Sequence, residues 1–281
     1  MTKNAADDGA VAVAAMAADG LYRATVPRDG GRALHLFSRT ARSYRLFDGL
    51  PAAAGGGAYF RQHPLTGEWI SYSGVRQGRT FLPNAAECPL CPMTDGGPTT
   101  DIPVDDYEVA IFTNRFAALT PDAGPPPEMM LDTRPGTGVC DVVSYSADHN
   151  ASLSTIGPDR IVLLLDALAM RCDELMANPD IAYVMPFENR GREIGVTLDH
   201  PHGQIYAMSQ LQDRIEKVAA AFRHDDPLSE LAERLPQQLV LAQNDSGIAF
   251  VPPWARYPFE VWIVPHQRVA DLASLGRTAR A

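Results

Sequence analysis

Residues 187–208 read FENRGREIGVTLDHPHGQIYAM, and at the centre of the stretch His200, His202 and Gln204 recur at spacing two. In an extended chain that period puts all three side chains on one face. Pro201 fixes its own φ and has no N–H, which places the stretch at a strand start or a sheet edge. Gly203 leaves no side chain where a ligand comes close to the main chain. Two imidazoles and an amide on one face can bind a metal, attack a phosphorus and hold its oxygens. The plainer reading is a buried, hydrogen-bonded histidine pair, and an isolated H-x-H favours it. The company of this one decides for chemistry.

Composition narrows the classes. A chain of 281 residues has room for one large or two small domains with real cores. Its formal net charge of -10 argues against a general binder of nucleic acid or of anionic membranes. An acidic protein that handles an anionic ligand must therefore gather its arginines locally. Four cysteines are too few for a disulfide framework. Cys88 and Cys91 form the informative pair, whereas Cys140 and Cys172 sit in apolar contexts that suit core residues. The apolar run Ala10–Ala18 is short and flanked by Asp7, Asp8 and Asp19, which makes it a poor signal peptide, and Ile161–Met170 contains Asp166 and is too short for a membrane span. The chain reads as cytoplasmic.

Taken in order, residues 1–58 are rich in Ala, Gly and Asp and read as a flexible extension, with residues 52–58 as a tether. Pro64-Leu65-Thr66-Gly67 is a turn between two strands over residues 59–72. Residues 109–113 and 140–145 read as strands, divided by the Pro-rich loop 121–135. Residues 159–177 show helical periodicity, with Ile161, Leu164, Leu165, Leu168, Cys172 and Leu175 as one stripe. A strand over 181–187, the central stretch, a helix over 211–223 and a shorter one through 235 follow. Strands at 239, 248 and 260–264 then weakly echo residues 114–153, as if a second copy began and stopped.

The motif FEN at Phe187–Asn189 and HPHGQIYA at His200–Ala207 resemble the galactose-1-phosphate uridylyltransferase family, a branch of the histidine-triad superfamily. HPLTGEW at His63–Trp69, CPLC at Cys88–Cys91, FTNRFAAL at Phe112–Leu119, YSADH at Tyr145–His149 and WARYPFE at Trp254–Glu260 extend the resemblance in order over residues 59–275. It implies an α+β fold with a histidine-triad-like antiparallel sheet, helices and tandem half-domains. The expected domains are a catalytic one over 59–235 and an incomplete second one over 236–281. The chain is expected to lack the family's C-terminal part, where most sugar contacts lie.

The resemblance also implies a site. Cys88-Pro-Leu-Cys91 alone has the spacing of a zinc knuckle, and also of a redox pair. The family pattern adds His149 and His200, completing a closed structural zinc set. His202 matches the nucleophile that takes UMP from a UDP-sugar, and Gln204 the amide that steadies the phosphoryl oxygens. Asn114, Arg115 and Phe116 match a uridine-binding loop, with Arg115 where some relatives carry an acid. Asn189, Gly195, Val196 and Thr197 match positions around the nucleotide and its phosphates. Arg76 and Arg79 match a pair that reaches the sugar phosphate from a neighbouring subunit, so a homodimer with shared active sites is implied.

The implied function is UDP-glucose–hexose-1-phosphate uridylyltransfer in galactose metabolism. Its substrates are UDP-glucose, UDP-galactose and hexose 1-phosphates, with no nucleic-acid or membrane partner. Gln212 stands about where relatives place a glutamate of an optional second metal, which is not expected here. Two alternatives stay open at this point. One is another nucleotidyltransferase or phosphorylase of the superfamily; the other is a non-catalytic, zinc-stabilised subunit that needs a separate C-terminal chain.

Overall fold

Alternation of apolar residues along several short runs gives antiparallel strands. The computed structural model describes residues 10–18, 20–51, 57–78, 81–223 and 225–281. Two compact units divide the chain, Met1–Gln210 and Leu211–Ala281. In the first, β1 is Val11–Val13, β2 Ala15–Ala18, β3 Leu21–Pro27, β4 Ala33–Ser38, β5 Ser43–Arg45, β6 Ala58–Gln62 and β7 Trp69–Ser73. Then come β8 Val109–Thr113, β9 Thr133–Pro135, β10 Gly138–Ser144, helix α1 Pro158–Met176, β11 Tyr183–Phe187 and β12 His202–Met208.

Seven of these strands form the main sheet, in the order β11-β12-β10-β8-β4-β3-β2. Its strand pairs are antiparallel throughout. One face packs on α1 through Phe37, Val109, Ile111, Val143, Ile205 and Ala207 against Leu163, Leu164, Ala167, Cys172 and Leu175. The stripe expected for this helix is therefore rotated slightly, with Leu163 and Ala167 buried and Ile161 and Leu165 only half-buried. A buried ion pair, Arg171 Nε to Asp141 Oδ2 at 2.8 Å, ties the helix to the middle of β10. The opposite face, with Leu34, Leu36, Ala110, Phe112 and Val142, packs against Cys88, Leu90, Ile102, Val104 and Tyr107. The Cys88–Cys91 knuckle is thus laid on the face of the sheet that α1 leaves open.

The expectation of a flexible N-terminal extension is corrected. Strands β3 and β4 form a hairpin through Asp29-Gly30-Gly31, whose glycines adopt φ of 68° and 72°. Strand β4 then pairs with β8, and Leu34, Leu36 and Phe37 are fully buried. Burial of those three side chains contributes on the order of 5 kcal/mol or more, enough to order a segment whose Ala/Gly/Asp content suggests disorder. Part of the tether expected at 52–58 (residues 52–56) lies outside the described residues. The hairpin expected at residues 59–72 is present as β6 and β7, with β9 on its other edge.

In the second unit, α2 is Asp213–Ala221, α3 Pro227–Arg234, β13 Val240–Gln243, β14 Gly247–Phe250, β15 Trp262–Pro265 and α4 Arg277–Arg280. Strands β13, β14 and β15 make an antiparallel sheet whose Ile248, Phe250 and Val264 are covered by Leu228, Leu231 and Leu235. The unit boundary therefore falls at 210/211 rather than at the expected 235/236, because α3 spends its apolar face on the second sheet.

Candidate active site and metal centre

Strand β12 runs between β11 and β10, so Pro201 precedes a central strand and does not mark an edge. Along it Gly203, Ile205 and Ala207 are buried while His202, Gln204 and Tyr206 are half-buried on the opposite face. His200 lies just before the strand and is buried at 1% exposure, and its ring meets Cys88 and Tyr107, which pack on the sheet face that carries Val142, the strand partner of Gln204. Gly203 also has a different reason from the expected one. A Cβ there would lie 2.3 Å from the Tyr145 hydroxyl and 2.8 Å from the Phe187 carbonyl oxygen, so protein, not ligand, makes the close approach.

His200 turns its Nδ1 toward two sulfurs, 3.7 Å from Cys88 Sγ and 3.6 Å from Cys91 Sγ. His149 Nδ1 is 3.5 Å from Cys91 Sγ. All four ligand atoms of Cys88, Cys91, His149 and His200 lie within 4.8 Å of one another. A tetrahedral zinc with its usual bond lengths separates sulfur and nitrogen ligands by roughly 3.6 Å. The donor set and its spacing therefore fit a metal ion. Burial, then the neighbouring Cys88, pushes the Cys91 thiol up to about 12, and a cation between the two sulfurs is what would hold them as thiolates. Burial pushes His200 down to about 4, which keeps the imidazole neutral and able to ligate. Its Nε2 donates to the Ser146 carbonyl at 2.8 Å, leaving the Nδ1 lone pair facing the sulfurs.

His202 has the reverse tautomer. Its Nδ1 donates to the His200 carbonyl at 2.7 Å, which leaves the lone pair on Nε2. Burial lowers its pKa, favouring the neutral ring. His202 and Gln204 line a cavity with Arg76, Asn114, Arg115, Phe116 and Thr197, so seven of the residues singled out in the sequence meet there. Leu90, Phe112, Val142 and Leu198 supply its apolar wall, and Asp101 is a carboxylate in the same wall that the sequence did not single out. Asn114 is held by the Phe116 N–H at 2.9 Å, and the Arg115 guanidinium covers the Phe116 ring at 4.7 Å. A second cavity, also bordered by His202, includes Asn189 and Val196. Gly195 borders neither; at φ 76° it closes the tight turn Arg192–Ile194. Arg79 lies outside the described residues.

Arg76, which the resemblance assigns to a neighbouring subunit's site, borders the cavity of its own chain and donates to the Tyr206 hydroxyl at 3.1 Å. Tyr206 continues the spacing of two set by His202 and Gln204, so its place beside them was legible in the sequence. Tyr107 had no such signal. Among the described residues, no helix is long and apolar enough to cross a membrane.

Residues 59–212 match the family model described as galactose-1-phosphate uridyl transferase, N-terminal domain. The chain belongs to this family. Members similar to it include the galactose-1-phosphate uridylyltransferase of Thermotoga maritima, 35% identical over 77% of this chain and 69% of that protein. The Streptomyces lividans uridylyltransferase is 36% identical over 78% of this chain, which spans 60% of that relative's length. A solved uridylyltransferase structure superposes with a TM-score of 0.67 at 29% identity, covering 79% of this chain and 70% of that one. The mixed α+β fold with antiparallel sheets is thus the family's.

Proposed function

We propose that this chain moves UMP between glucose 1-phosphate and galactose 1-phosphate through a uridylyl group carried on His202. The reading rests on the His202 ring, whose Nδ1–H is fixed on the His200 carbonyl while Nε2 keeps its lone pair at a cavity bordered by Gln204, Arg76 and Thr197. In the first step Nε2 attacks the α-phosphorus of a UDP-hexose. The N–P bond forms, the bond from that phosphorus to the bridging oxygen breaks, and hexose 1-phosphate leaves with the electron pair. In the second, a phosphate oxygen of the other hexose 1-phosphate attacks the same phosphorus and the imidazole leaves. One neutral imidazole serves both directions, so the kinetics are ping-pong.

Gln204 donates to the phosphoryl oxygens as charge builds on them. Arg76 and Thr197 take the phosphates, with Asn189, Val196 and the turn at Gly195 bounding the other side. Asn114, Arg115 and Phe116 hold the uridine. Cys88, Cys91, His149 and His200 would hold zinc. Four protein ligands leave such an ion no open position, so what it supplies is rigidity at the start of β12. The same reading has the chain acting in the cytoplasm as a homodimer, which sedimentation velocity checks. UDP-glucose mixed with galactose 1-phosphate should yield UDP-galactose, and His202→Gly should yield none. Undiminished product from His202→Gly would overturn the assignment.

A further inference from the structure

We propose that Tyr107 is the positioning residue that locks the cysteine knuckle and His200 into one geometry and so fixes the backbone that carries His202. Tyr107 is 2% exposed and sits two residues before β8, far in sequence from everything its hydroxyl touches. That oxygen is 2.7 Å from the Leu90 carbonyl, inside the Cys88–Cys91 knuckle. It is 2.7 Å from Ser144 Oγ, at the end of β10, and 3.1 Å from His200 Nε2. One phenol has one proton to give and two lone pairs. The Leu90 carbonyl can only accept, so it takes the Tyr107 proton. The two lone pairs then accept from the Ser144 hydroxyl and share the His200 Nε2–H with the Ser146 carbonyl. The Ser144 hydroxyl has the Ser146 carbonyl at 3.4 Å as a second, longer acceptor, and the arrangement needs the His200 tautomer with its proton on Nε2 and its lone pair on Nδ1.

The hydroxyl therefore joins three separate pieces: the loop that brings both cysteines, the strand end that leads to His149, and the residue that precedes the nucleophile. His200 passes its position directly to His202, because its carbonyl holds the His202 Nδ1–H. A group of this kind, which orients a ligand without touching the ion, is worth about 10- to 100-fold in metal affinity when removed.

This inference rests on the reading of the four Cys and His residues as a metal site, and its test separates the two. The full-length chain is loaded with cobalt(II), whose visible bands report ligand geometry, and release to excess EDTA is timed. Tyr107→Phe keeps the ring and removes only the hydroxyl. It should release cobalt about 10- to 100-fold faster than wild type and shift the visible bands. Ser144→Ala, which removes one of the three partners, should show the same effects in smaller degree and covers the case in which Tyr107→Phe fails to fold. Leu163→Ala, on the helix side of the sheet, serves as the control for lost stability alone and should release cobalt at the wild-type rate. Wild-type release and an unshifted spectrum in Tyr107→Phe, or in Ser144→Ala should Tyr107→Phe not fold, would overturn the proposal while leaving the metal site standing. A wild-type chain that takes up no cobalt would overturn the metal site, and this proposal with it.

Discussion

Gln204 lies two residues beyond His202 on the same face and lines the same cavity, and the proposed mechanism gives its amide the oxygens of the transferred phosphoryl group. Gln204→Ala should therefore slow uridylyl transfer by about 10²-fold, with a smaller loss in binding, measured as separate kcat and KM changes. The metal site is tested at its sulfurs. Protein purified without added metal should carry close to one equivalent of zinc. The double variant Cys88→Ser, Cys91→Ser should carry none and melt at a lower temperature, since site formation is coupled to folding. Zinc retained by the double variant would remove the assignment. His35 gives a prediction in pH. Burial, with Arg23 second, pushes its imidazole down to about 3 from an ordinary value of 6.5, so the folded protein keeps the ring neutral where the unfolded chain protonates it. Stability is then unaffected by His35 above about pH 6.5 and declines as the pH falls from there toward 3. His35→Gln should flatten that part of a urea-midpoint curve against pH, and an unchanged slope would count against the cause given.

Strand β12 is where local geometry and chemistry are coupled most tightly. Gly203 faces the Tyr145 hydroxyl and the Phe187 carbonyl at distances that leave no space for a Cβ. Gly203→Ala must push β12 away from β11 or displace Tyr145. It should cost about 1–3 kcal/mol in denaturant unfolding and lower kcat by moving His202; wild-type stability would refute the packing argument. Much of this element was legible beforehand. The spacing of His202 and Gln204 follows from period-two patterning, the strand start from Pro201, and the FEN motif, read from the resemblance, begins at Phe187, the last residue of β11. His200 falls outside β12 because the strand begins only after Pro201. The N-terminal hairpin was missed for another reason. Its Ala, Gly and Asp content describes average composition, while the Asp-Gly-Gly turn between two apolar runs is a local signal that composition hides. Tyr107 could not be found from spacing at all, since its three partners lie 17, 37 and 93 residues away.

For the whole molecule, residues 10–51 matter as much as the family-matched segment that starts at 59. A variant lacking residues 1–58 would expose Ala110, Phe112, Val109 and Ile111 along the bare edge of β8. It should be insoluble or unfolded by circular dichroism, and a folded, soluble product would show that the hairpin is dispensable. Nucleotide choice also belongs here, because Asn114, Arg115 and Phe116 come from one loop and Asn189 and Thr197 from another. Calorimetry should find UDP-glucose and UDP-galactose bound alike and more tightly than ADP-glucose; preference for ADP-glucose would point to a phosphorylase. The central claim is that His202 becomes covalently uridylylated, and intact-mass spectrometry of the full-length chain after incubation with UDP-glucose tests it most directly. The account predicts a single UMP adduct, labile in acid and stable in base as a phosphoramidate is, present in wild type and absent in His202→Gly. An adduct that persists in His202→Gly, or a wild-type chain with bound metal and no adduct, would contradict it.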